Sequence, residues 1–159
     1  NEDVDIIINR IFNMVISMLE DSIEAINEKD WEALRKMKSR DYVMNSYVSY
    51  CQRLINKFGY SSFSKSGLIM VYLKIVEMIS DKICAIFKHC AKNKINITLE
   101  IKQLLIIYRM IQRIHSKFDS KKISEFNKER LKLKSSKINV DEIKELLFDL
   151  IEVEIQFNI

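Results

Sequence analysis

The sequence predicts an all-α protein built as two tandem three-helix bundles, the second abbreviated. Three observations carry this. The 159 residues contain no proline and only two glycines, the residues that most readily break helices. No stretch alternates apolar and polar residues between turn pairs such as Asn-Gly, so strand signals are missing. Apolar residues recur instead at the three- and four-residue spacing of a helix face.

The first segment runs from about Val4 to Asn27, with Val4, Ile8, Ile11, Val15 and Met18 on one face and Ile7, Met14 and Leu19 widening it. Glu28-Lys29-Asp30 makes a polar corner in which Asp30 can cap the next helix. The second segment, Trp31 to about Phe58, carries Leu34, Met37, Met44, Tyr47, Val48, Cys51, Leu54 and Ile55, and Gly59 stands where a helix ends in a left-handed residue. Ser61 to Ser66 is the expected turn before a third segment from about Gly67 to Lys92. Short connections force neighbouring helices to reverse direction, so residues 1–93 form the first bundle. Residues 94–159 form the second, from helices at Leu99 to Phe118, Ser120 to Leu133 and Val140 to Ile159, with Asn139 or Asp141 as the last cap. Glu77 and Asp81 within Ile75–Ile83 find weak repeat counterparts in Glu154 and Asn158. The chain starts at Asn1 rather than Met and stops inside an apolar pattern at Ile159, which predicts material upstream and a trimmed end.

Composition narrows the function classes. The net charge of +4 comes from basic and acidic residues mixed along the chain, which argues against direct nucleic-acid binding. One basic stretch, His115 to Lys137, sets eight Lys/Arg against three acids and reads as a solvated helix with its loop. Cys51, Cys84 and Cys90 lie in apolar helical patterns and read as reduced core thiols, hence a cytoplasmic protein. No apolar run is long enough to span a bilayer. Enzyme chemistry finds little support. Neither His89 nor His115 has the Glu-x-x-His spacing of a carboxylate di-iron bundle, Cys84, His89 and Cys90 lack zinc-site spacing, and no glycine loop cradles a nucleotide.

The residues that a core helix should not want are two pairs at i, i+4, Asp41 with Asn45 and Glu77 with Asp81. Like charges one turn apart repel, so Glu77 and Asp81 call for a shared cation, a metal ion or a cluster of lysines. Antiparallel pairing of the second and third segments can place all four on one surface, where oxygen donors suit hard or borderline cations. The competing reading is ordinary solvent-facing acids paired with Arg40, Lys74 or Lys82.

Asn27-Glu28-Lys29-Asp30 followed by Arg40-Asp41-Tyr42-Val43-Met44-Asn45 resembles the PhoU family, in which a short corner precedes a helix carrying an E/D-x-x-x-D motif. Tyr72 to Ile83, with Glu77 and Asp81, resembles the family's second signature helix. The resemblance covers about Met14 to Lys92. It implies tandem three-helix bundles, divalent or iron-type metal ions held on the acidic faces, here by Asp41, Asn45, Glu77 and Asp81, and a non-enzymatic, cytoplasmic role in phosphate uptake and phosphate signalling. The implied partners are the phosphate ABC transporter, a sensor kinase or a fused DNA-binding domain. Asn45 departs from the pattern by removing a charge, and Glu125 and Glu129 do not align as a second acidic face. Two other functions compete: a metal-free dimerisation or partner-binding module of a transcription regulator, giving a homodimer, and a histidine-phosphotransfer domain using His89 with Lys92.

Overall fold

The computed structural model describes residues 2–159 as seven helices, with no strand among the described residues. These are α1 (Glu2–Asn27), α2 (Trp31–Arg35), α3 (Met37–Phe58), α4 (Phe63–Asn93), α5 (Thr98–Ser116), α6 (Ser120–Lys132) and α7 (Asp141–Phe157). On α1 the expected stripe is buried, Val4, Ile8, Ile11, Val15, Met18 and Leu19, and Phe12 joins it. Asp30 caps α2, its Oδ1 accepting from the Ala33 N–H at 3.0 Å.

The predicted second segment is not one helix. It breaks at Lys36, where the Lys36 N–H reaches the carbonyls of both Glu32 and Leu34 and the turn tightens. Leu34 and Met37, on either side of the break, are both buried, and α2 packs on α4 and α1. Gly59 does end α3 with a positive φ of 75°, but its ψ of 176° is extended rather than left-handed helical. α4 begins four residues before the expected Gly67. Ser62 accepts from the Lys65 N–H at 3.3 Å and starts the helix inside the serine-rich stretch. At the other end Lys94 takes the left-handed conformation, φ 54° and ψ 49°, that closes α4. Asp119 caps α6, and Asn139 Oδ1 accepts from the Asp141 N–H ahead of α7.

α3 packs against α1 and α4, completing the first three-helix set. In the second set, α6 bridges α5 and α7, while α5 lies along α1 and α7 along α4. The buried apolar residues form one cluster running from Val4 to Ile151, so both sets share a core. The three cysteines are free and buried within it, and burial pushes their thiols up, Cys51 and Cys84 to about 12 and Cys90 to about 11. No helix of the described residues is long and apolar enough to cross a membrane.

Candidate functional site

The helical register decides where the acids go. Asp41 lies on the same α3 face as Met37, Met44 and Val48, all buried, so its carboxylate is driven into the α3–α4 seam and is only 1% exposed. An isolated carboxylate there would be expensive, and its oxygens are accordingly partnered. The buried Ser80 hydroxyl of α4 donates to Asp41 Oδ1 at 2.7 Å, and Lys38 Nζ, one turn back on α3, donates to Oδ2 at 3.2 Å. Asp81 comes in beside this pair from α4, 4.0 Å from the same ammonium. Burial raises the Asp81 pKa, and the neighbouring Asp41 raises it further; the Asn45 amide and Lys38 act in the opposite sense. The Lys38 pKa is pulled down by burial but ends above its ordinary value because Asp41 and Asp81 favour its charge.

Of the four predicted residues, Asp41, Asn45 and Asp81 therefore share a neighbourhood. Glu77 pairs with Lys74 on its own helix at 3.6 Å and makes no hydrogen bond or ion pair to the other three. The cations foreseen as partners divide in the same way. Lys74 takes Glu77, whereas Arg40 reaches Asp21 of α1 at 2.6 Å and Lys82 reaches Glu142 of α7 at 2.5 Å. The residue that serves the acidic cluster, Lys38, was not singled out in the sequence, although its i, i+3 spacing to Asp41 is the signal that could have found it.

The cluster does not fit a resident metal ion as it stands. Among the described residues no three of His, Cys, Asp and Glu converge as a ligand group. The cationic position between the two carboxylates is held by Lys38, and Ser80 already occupies one Asp41 oxygen. One buried acceptor, Asn45 Oδ1, has no hydrogen-bond partner.

In a second polar group the sequence offered Glu154 and His115 separately but not as a pair. Glu154 of α7, 2% exposed, receives a hydrogen bond from His115 Nδ1 of α5 at 2.8 Å. The imidazole stacks on Tyr72 of α4, centroids 4.9 Å apart, and meets Phe12 of α1 at 5.9 Å. Burial, and then the Glu154 charge, drive the Tyr72 hydroxyl pKa well up. His115 also lines a cleft of about 300 Å³ with Asp5, Asn9, Tyr60 and Gln112, in which the Tyr60 hydroxyl donates to Asp5. The weak repeat relating Glu154 and Asn158 to Glu77 and Asp81 thus leads to a different chemistry, because Asn158 Nδ2 bonds back to the Glu154 carbonyl at 2.8 Å. His89 sits exposed near the end of α4, its Nδ1 3.3 Å from the Asn93 amide, with neither a carboxylate nor Lys92 as hydrogen-bond partner.

Among known protein families, residues 8–90, just over half of the chain, match the PhoU domain. No curated protein and no solved structure matches the chain.

Proposed function

The chain belongs to the PhoU domain family, and from that premise we propose that it regulates phosphate uptake and phosphate signalling through protein partners. The family match over residues 8–90 carries this reading. It is supported by the surface of α3, where Tyr42, Val43 and Tyr50 are 64%, 51% and 47% exposed on the helix that also bears Asp41. Large apolar side chains grouped on one exposed helix suit a surface that meets another protein. The partner class is the phosphate ABC transporter or its sensor kinase, and the role is non-catalytic and cytoplasmic.

The test is genetic. In the host of this protein, deleting the gene should change phosphate uptake and the expression of phosphate-starvation genes, and the intact gene should restore both. Unchanged uptake and expression across phosphate concentrations would refute the reading.

The second reading is a metal-free dimerisation module of a transcription regulator, and the lysine-balanced acidic cluster favours it. Here α3 would meet a second copy. Light scattering would give twice the monomer mass, and Val43→Glu would return it to monomer.

A further inference from the structure

We infer that Lys38 is a built-in cation, standing in the α3–α4 acidic cluster where a divalent metal ion would otherwise be called for. The inference rests on the geometry of the cluster and holds whether or not the phosphate reading does. Three contacts surround the ammonium, whose side chain is about half exposed. It donates to Asp41 Oδ2 at 3.2 Å, faces Asp81 Oδ1 at 4.0 Å, and lies 5.3 Å from the centre of the Tyr42 ring, whose face attracts a cation. Asp41, 1% exposed, cannot turn to water for its charge balance, so the ammonium that reaches it is structural as well as electrostatic. Asp81 is tied to the same ammonium from the opposite helix, which makes Lys38 the charge that joins α3 to α4 at this level.

A tethered ammonium differs from a metal ion in three ways. It cannot dissociate, it does not respond to metal supply, and it brings one positive charge where a divalent ion brings two. A second cation entering between Asp41 and Asp81 would meet Lys38 at short range, and like charges at a few ångströms repel, here with part of the repulsion screened because Lys38 and Asp81 are about half exposed. The cluster is thereby a permanent brace between two helices rather than a sensor of metal. The same oxygens, Asp41, Asp81 and the unpartnered Asn45 Oδ1, become a cation site only when the lysine is removed.

The experiment uses Mn²⁺ as the probe and follows free Mn²⁺ by electron paramagnetic resonance. It is run on the wild-type chain, Lys38→Met, and Lys38→Met combined with Asp41→Asn. The expected result is no specific uptake by the wild type, a gain in affinity of about tenfold or more in Lys38→Met, and loss of that gain in the double variant. Stoichiometric binding by the wild type that Asp41→Asn abolishes would overturn the inference, and so would a folded Lys38→Met that gains nothing. If Lys38→Met does not fold, the wild type decides alone. The amide resonances of Asp41, Asn45 and Asp81 must then stay sharp as Mn²⁺ is added, and their selective broadening near equimolar Mn²⁺ overturns the inference.

Discussion

Replacing His115 by alanine should damage the protein more than replacing His115 and Glu154 together. The single change leaves Glu154, 2% exposed, with its 2.8 Å partner gone and only the Asn158 amide, at 3.4 Å from Oε2, to answer it. Leaving a buried acceptor without its donor costs about 1–3 kcal/mol. Loss of the ring contacts to Tyr72 and Phe12 adds about 0.5–1.5 kcal/mol. His115→Ala with Glu154→Leu keeps the second loss but removes the unsatisfied acceptor, so it should recover about 1–3 kcal/mol of the deficit. Glu154→Gln, which keeps shape and exchanges a charge-assisted bond for a neutral one, should cost about 1 kcal/mol. Urea unfolding followed by circular dichroism at 222 nm, the usual helix wavelength, reads all four proteins, with unchanged m-values as the condition for comparison. A double variant no more stable than His115→Ala would show that the burial of Glu154 is not what makes His115 necessary.

Asp81 has its pKa raised by burial and by Asp41, so its charge opposes folding once the pH rises above the ordinary carboxylate range. The folded state holds that proton at pH values where the unfolded chain has released it; stability therefore falls as pH climbs from the unfolded value of about 4 through the folded one. Asp81→Asn should flatten this fall, and thermal melts between pH 3 and 7 check it. At the two helix ends the backbone predicts opposite signs. Gly59→Ala should cost about 1–3 kcal/mol, since φ 75° with ψ 176° is a glycine conformation, while Lys94→Gly should gain about 1 kcal/mol by relieving a left-handed lysine. Denaturant midpoints for both variants test the pair.

What the sequence disclosed follows from which forces are local. Helix identity was legible because the apolar spacing of α1, α3 and α5 is a property of each stretch alone, and Asp30 could be named as a cap from its position in a polar corner. The break at Lys36 was not, since Leu34, Arg35, Lys36 and Met37 are all good helix formers; it shows only in the tertiary contacts, where α2 packs on α4 and α1 and α3 on α1 and α4. In the candidate site, Asp41, Asn45 and Asp81 were found by i, i+4 spacing. Glu77 met the same pattern yet belongs to Lys74, because spacing fixes a face of a helix and not which neighbour covers it. Lys82 illustrates the same limit, as its partner Glu142 lies on α7, 60 positions along the chain. The His115–Glu154 pair joins residues 39 apart on different helices, and no local pattern announces it.

The sharing of one core by both sets of helices has a consequence for any attempt to dissect the protein. The family match ends at residue 90, while α1 and α4, which begin and end that stretch, each carry a partner from outside it, α5 and α7. A fragment cut at the match would leave those two surfaces wet and adhesive, and would be expected to clump or to capture a neighbour's helices. The stretch by which the protein is recognised is therefore smaller than the stretch that must be made at once for it to stand.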